Sequence, residues 1–375
     1  MKLHRIPAVY MRGGTSKAVM FKDADLPASR EDRDALFLAV MGCPDPNGRQ
    51  LDGMGGGLSS LNKVCVVGPP SRDDADVDYT FVQLDTVNAS VDYGGNCGNM
   101  SSAIGPFAVE EGMVPCPADG EAVVRVHNTN TGKIIVARFP VQGGALAPDG
   151  DLALDGVAGT AAPIRLEFLS PGGAKTGRLL PTGNAVDMLD VPGLGPVAAS
   201  CIDAANPCVF VHAASLGMSG TELPGALEGD ADFRDAMEAI RRAASVAMGL
   251  APDLAGAAAL ASIPKVAIVA APRDAATIAG GRVAAQDMDI AVRMISVGQP
   301  HRAVPITGAI CLAVAARLPG TIPALACASA TGPLRIGHPS GTILVDADVR
   351  DGEARLGAVY RTARRLFEGQ AVYRL

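Results

Sequence analysis

Apolar positions in this chain recur mostly at every second residue or in short unbroken runs, and only a few stretches carry the three-to-four spacing of a helix. Residues 6–10 and 18–21 read as strands on either side of the turn Arg12-Gly13-Gly14-Thr15-Ser16-Lys17. Ser29 then caps a predicted helix reaching Met41, with Glu31 and Asp32 in its first turn and Leu36, Ala39 and Val40 toward a core. Strands follow at 61–67, 78–84 and 90–93, and a helix is predicted from about 98 to 111. Residues 123–127 and 133–140 flank Asn128-Thr129-Asn130-Thr131-Gly132, a hairpin signal.

The second half repeats this style. Strands at 197–202, 209–212 and 266–270 surround a predicted helix over 230–248, whose Phe233, Met237, Ile240 and Ala244 share one face. Another helix opens at Pro305 and runs to about 318. Like the one that opens near Gly98, it is apolar all round, so both belong inside something. The richest Pro/Gly stretch spans 170–184 and marks the expected boundary between a domain at 1–184 and one at 185–349. Late strands at 360–366 and 371–373 are expected to return to the first domain, which residues 350–375 complete.

A length of 375 residues fits two cores better than one. No apolar run approaches the roughly 18 residues of a membrane span, and the first residues lack the apolar stretch of a signal peptide, so a cytoplasmic protein without membrane contact is expected. The eight cysteines form no C-x-x-C pair, which indicates thiols rather than a disulfide framework or metal site. A net charge of −7 disfavours nucleic acid as a partner. A small anionic substrate remains compatible, held by local cations and helix N-termini. No phosphate loop or dinucleotide fingerprint is present, so no cofactor is expected. Self-association into a homo-oligomer stays open.

The chemistry concentrates at Cys97. In Val91-Asp92-Tyr93-Gly94-Gly95-Asn96-Cys97-Gly98-Asn99-Met100-Ser101 a strand-like run meets glycines and asparagines and then opens a helix. Unpaired amides at a helix start stabilise a thiolate and also receive a carboxylate. The alternative for any such cysteine is a small buried hydrophobe.

Six segments together resemble the PrpF family: Met11-Arg12-Gly13-Gly14-Thr15-Ser16-Lys17, Asp52-Gly53-Met54-Gly55-Gly56, Gly95-Asn96-Cys97-Gly98-Asn99, Gly105-Pro106-Phe107, Leu180-Pro181-Thr182-Gly183-Asn184 and Gly337-His338-Pro339-Ser340-Gly341. The resemblance runs nearly end to end. It implies an α+β, diaminopimelate epimerase-like fold: two similar domains, each a curved, mostly antiparallel sheet around a central helix, with the active site in the cleft between them. It also implies a cofactor-independent isomerase that moves a double bond in an unsaturated di- or tricarboxylic acid such as methylaconitate, methylitaconate or 4-oxalomesaconate.

Within that resemblance Lys63 is the expected base and Cys97 its assistant. Read without it, Lys63 interrupts an apolar strand as an edge gatekeeper would. Ser16, Lys17, Asn96, Gly98, Asn99, Asn206, Thr307, Gly308, His338 and Ser340 are the expected substrate contacts. The epimerase pattern would place a second thiol at the start of the second central helix. Pro305 stands there instead, and Cys311 falls about two turns on, in the expected core. This disfavours the main rival, a two-thiol amino-acid or hydroxy-acid racemase. A non-catalytic accessory protein for an iron–sulfur dehydratase is the other rival, and the scattered cysteines give it little support.

Overall fold

Strands with alternating burial, such as Gly120–Asn128, and strands buried along their whole length, such as Lys63–Gly68, form the sheets, and two largely buried helices are covered by them. A computed structural model of the chain describes residues 3–94, 96–260, 262–296, 298–329 and 331–374. Its contacts divide the chain into two units, Met1–Glu167 with Tyr360–Leu375, and Phe168–Val359. The Pro/Gly-rich stretch lies wholly in the second unit, because Gly173, Lys175 and Thr176 all donate amides to Asp203. The division therefore falls at 167 and 360, where the proline and glycine content suggested 184 and the late strands were expected to rejoin the first domain from 350.

Unit 1 contains β1 (Leu3–Gly13), β2 (Ser16–Lys22), α1 (Arg30–Met41), β3 (Lys63–Gly68), β4 (Val77–Leu84), β5 (Val91–Asp92), α2 (Ser101–Glu110), β6 (Gly120–Asn128) and β7 (Lys133–Gln142). The pairings run β1–β2 antiparallel, β2–β3 parallel, β3–β4 antiparallel, β4–β6 parallel and β6–β7 antiparallel. The C-terminal strand Ala363–Arg374 pairs antiparallel with β1 and closes that edge. One face of the sheet carries α1: Leu36, Phe37 and Val40 pack on Val19, Phe21, Val64, Val66, Val82 and Leu84. Ser29 caps α1 as expected, accepting from the Asp32 amide at 3.1 Å. The opposite face carries α2, in which every residue from Ser101 to Val109 is buried. Gly105 permits this approach, since a Cβ there would lie 2.8 Å from Phe139 Cε1.

Unit 2 repeats the plan. Its elements include β8 (Asp187–Val191), β9 (Gly195–Ala204), β10 (Asn206–His212), α3 (Ala231–Ala247), β11 (Lys265–Ala270), β12 (Ile290–Ser296), β13 (Gln299–Pro300), α4 (Ile306–Ala315), β14 (Leu334–His338) and β15 (Gly341–Arg350). Here β9–β10 is antiparallel, β10–β11 parallel, β11–β12 antiparallel, β12–β14 parallel and β14–β15 antiparallel, the same sequence of directions as in unit 1. Phe233, Met237, Ile240 and Ala244 of α3 pack on one face, against Val209, Val211, Val266 and Ile268. Buried α4 takes the other face, where Gly308 lies against Met294 of β12. The expected α+β class, two similar domains each with a central helix, is the one found.

Candidate active site

The β1–β2 turn is built to touch the approach to α2. Gly13 pairs with Ser16, and Gly14 takes a left-handed φ of +50°. A Cβ on Gly13 would lie 2.7 Å from the Asn99 carbonyl oxygen, and one on Gly14 would lie 2.3 Å from Asn99 Oδ1. Only glycines leave room for Asn99 there. Asn99 Nδ2 donates to Thr15 Oγ1 at 3.1 Å, and its Oδ1 accepts from Arg361 Nε at 3.3 Å. Arg12 ties the same turn to Thr362, donating to the carbonyls of Gly14 and Thr362 and to the Thr362 hydroxyl.

The turn before α2 begins at Cys97, whose carbonyl accepts from the Ser101 amide at 3.0 Å. Met100 provides no side-chain cap. Among the described residues the amides of Gly98, Asn99 and Met100 have no acceptor, which leaves them for an anion. Asn96 lies beside this turn: its Oδ1 is 3.4 Å from Asn128 Nδ2 and 3.5 Å from Ser101 Oγ. Asn128 is itself fixed by Asn130, which bridges Phe81 and Tyr93 through their backbones. The hairpin signal at 128–132 thus doubles as a support for the cysteine loop. Gly95 lies outside the described residues.

Lys63 opens β3, which lies between β2 and β4. It is therefore not the edge gatekeeper that the isolated strand pattern suggests. Its Nζ donates to Gln83 Oε1 at 2.5 Å, directly across the β3–β4 ladder, and lies 5.1 Å from the centre of the Phe81 ring. The side chain is buried, and among the described residues no carboxylate lies within ion-pair distance of it. Gln83 is held by its amide, which donates to the carbonyls of Ser59, Asn62 and Leu84.

Cys65 links this lysine to the cysteine loop. Burial pushes the Cys65 thiol well up, the neighbouring Cys97 pushes it further, and Lys63 pulls it back. Tyr79, 3.8 Å from the Cys65 sulfur, is raised by burial and by both cysteines. Lys63 and Cys65, two residues apart on one strand, share the face of the sheet that carries α2. Cys97 itself is half-buried and has no disulfide partner.

Ser16 is buried at the start of β2 on this same face. Lys17, one residue on, points to the other face. Its Nζ lies 5.5 Å from the ring centre of Tyr10, which packs with the α1 core. The expected contact of Lys17 with substrate is corrected accordingly, because side chains alternate along a strand. Sequence reading also passed over Arg361, which is buried against Asn99 and Tyr360 with no acidic partner among the described residues; burial lowers its guanidinium to about 10. In the sequence it is one of several arginines near the C-terminal end, at the close of the strand Glu353–Arg361, and nothing there sets it apart.

In unit 2, Pro305 is the N-cap of α4, and among the described residues the amides of Ile306, Thr307 and Gly308 have no acceptor. Asn206 opens β10, its Nδ2 donating to the Pro207 carbonyl at 3.0 Å. Cys311 is fully buried, donating to the Ile202 carbonyl at 3.6 Å, and belongs to the core. His338 ends β14, and Ser340 follows it in a turn. The Ser340 amide donates to His338 Nδ1 at 3.2 Å, and its hydroxyl donates to the Arg302 carbonyl at 2.6 Å, bracing the segment that leads into α4. Among the described residues no cluster of His, Cys, Asp and Glu has the arrangement of a metal site.

The chain resembles known isomerases along nearly its whole length. The chain is 42% identical to the 3-methylitaconate isomerase of Eubacterium barkeri, over 97% of this chain and 96% of that protein. It is 42% identical to the 2-methyl-aconitate isomerase of Cupriavidus necator, with the same coverage. It is 38% identical to the 4-oxalomesaconate tautomerase of Pseudomonas putida, over 97% and 95%. The crystal structure of methylitaconate-delta-isomerase superimposes with a TM-score of 0.92 at 41% identity, covering 100% of this chain and 96% of that one. The model of the PrpF protein family matches residues 3–374, and the chain belongs to that family.

Proposed function

We propose that this protein is a cofactor-independent isomerase catalysing an allylic 1,3-proton shift in an unsaturated di- or tricarboxylic acid. Relatives across its full length are isomerases of methylitaconate and methylaconitate and a tautomerase of oxalomesaconate. The observation that carries the reading is Lys63: a buried lysine in an interior strand, bonded to a neutral glutamine, on the sheet face that carries α2.

The reaction takes a proton from the carbon allylic to an unsaturated carboxylate and returns one two carbons away. Lys63 is assigned as the group that removes it, a role worth about 10²- to 10⁴-fold in rate. Cys97 assists as the acid or by positioning. Charge gathers on carboxylate oxygens in the dienolate intermediate, and the open amides of Gly98 and Asn99 in unit 1 and of Thr307 and Gly308 in unit 2 suit such oxygens. Ser16, Asn96 and Asn206 are assigned to substrate carboxylates or hydroxyls, and His338 and Ser340 to shaping the start of α4. We place this chemistry in the cytoplasm. Among the described residues no helix is long and apolar enough to cross a membrane.

Proton NMR in D2O with methylitaconate, 2-methylaconitate and 4-oxalomesaconate tests the reading. One acid should isomerise, deuterium should enter its allylic carbon, and Lys63→Ala should abolish both. Exchange of the α-proton of an amino or hydroxy acid, with none of the three acids reacting, would replace it with a racemase.

A further inference from the structure

The two units share a register as well as a topology. In unit 1 Val19 is level with Val64 on the parallel β2–β3 pair, which places Lys63 level with Ala18, two residues after Ser16. In unit 2 Cys208, two residues after Asn206, is level with Lys265. Lys63 is the first residue of β3 and Lys265 the first of β11. Across the antiparallel partner Lys63 faces Gln83, and Lys265 faces Ser296, the step after Val266 and Ile295. Lys63 Nζ donates to Gln83 Oε1 at 2.5 Å, and Lys265 Nζ donates to Ser296 Oγ at 2.8 Å. The fold has placed a lysine twice at one position, each time with a neutral acceptor directly opposite.

Strand β11 is interior, flanked by β10 and β12, so Lys265 does not guard an edge. Alternation puts it on the face that carries α4, because Val266 and Ile268 pack on α3 instead. The groups facing it there are Cys208 on β10, Ser296 on β12 and His301 just past β13. Burial lowers the His301 imidazole, whose Nδ1 accepts from the Ala303 amide at 3.1 Å. Among the described residues no carboxylate lies within ion-pair distance of Lys265, and a partly desolvated ammonium without a counter-ion is a standing cost that a bound anion offsets. Unit 1 sets a thiol at the start of its central helix and unit 2 sets Pro305 there; the thiol facing Lys265 is Cys208 on the neighbouring strand instead.

We propose that Lys265 is the unit 2 counterpart of Lys63 and binds a carboxylate of the substrate, with Ser296 orienting its ammonium. The inference rests on the isomerase reading for the identity of the anion. A lysine stands at the same strand position in both units, whereas a cysteine precedes the central helix in unit 1 and a proline does in unit 2.

Maleate is the probe, because it is an unsaturated dicarboxylate with no allylic hydrogen and binds without reacting. Calorimetric titration of the full chain should show maleate binding that weakens about tenfold or more in Lys265→Met and stays within about threefold of wild type in Lys265→Arg, at matched melting temperatures. On the acid that turns over, Lys265→Met should raise KM far more than it lowers kcat. Acetylation of the wild-type protein, followed by peptide mapping, needs no variant: maleate should protect Lys265. Equal maleate affinity in Lys265→Met, no maleate binding by the wild type at millimolar concentration, or no protection overturns the proposal. A protein that binds maleate through Lys265 yet isomerises none of the three acids loses the isomerase reading and keeps this one.

Discussion

Lys63 donates to Gln83 across the β3–β4 ladder at 2.5 Å, so the proposed base rests on an acceptor that carries no charge. A carboxylate at that position would hold the lysine as an ammonium; a glutamine orients it without doing so.

Gln83→Glu should therefore leave the lysine in place and make it a poorer base at neutral pH. The ascending, low-pH limb of the kcat/KM profile should move up by about one pH unit or more, as expected for a base that gains an adjacent carboxylate. The pH–rate profile of the variant checks this. An unmoved limb would mean that Lys63 does not take the proton. The variant also loses the bonds of Gln83 Nε2 to Ser59, Asn62 and Leu84, so its melting temperature should fall modestly.

Gly14→Ala tests whether the β1–β2 turn shapes the site. Its Cβ would fall 2.3 Å from Asn99 Oδ1 at a φ of +50°. The cost should be about 1–3 kcal/mol, read as a drop of several degrees in melting temperature. Displaced Asn99 should also lower kcat. Gly112→Ala, at a φ of +68° with open space around it, pays the backbone cost alone and should leave kcat unchanged.

Thiol chemistry should separate the cysteines by environment. Burial raises the thiols of Cys65 and Cys311, and it pushes Cys201 up to about 12, so all three should resist alkylation at pH 8. Half-buried Cys97 should react, and loss of activity should follow its modification. Peptide mapping against residual activity decides; inactivation that persists in Cys97→Ser would point to another thiol.

Acid should loosen unit 1 through Glu111. Burial raises its carboxyl, but Lys22 at 2.6 Å and Arg365 at 2.9 Å outweigh that and hold it below the ordinary range. A depressed carboxyl stabilises the fold above its unfolded-state value, and the contribution is lost as pH falls through the folded value. Stability should therefore decline from about pH 5 downward. Glu111→Gln should be less stable at pH 7 by about 1 kcal/mol, with a flatter acid limb in urea titrations.

Much of the fold was legible because its strands either alternate or run apolar without a break, and its two central helices are apolar around most of their circumference. Ser29 and the Phe233 to Ala244 stripe placed α1 and α3 to within a residue or two. The division between units was harder to read, because the proline and glycine at 170–184 make loops that fold back on Asp203 rather than a linker. For the proposed site, Lys63 and Cys97 were read with the help of the family resemblance, whereas Gln83 and Arg361 were not singled out. Each is one of several polar residues in its strand, and only the pairing across the ladder or the contact with Asn99 gives it meaning. Lys17 was misplaced by proximity in sequence, since one step along a strand crosses the sheet. Lys265 needed the register of both halves before it stood out.

The pairing of Leu3 with Arg374 has a consequence for how the protein is made. Unit 2 is one continuous run of chain and holds all its own strands as soon as residue 359 has left the ribosome. Unit 1 begins first but lacks the partner of β1 until residues 363–374 have been translated. The half that carries Lys63 and Cys97 is therefore the last to close, and a nascent chain stalled short of residue 363 exposes the unpaired edge of β1 to any other strand it meets.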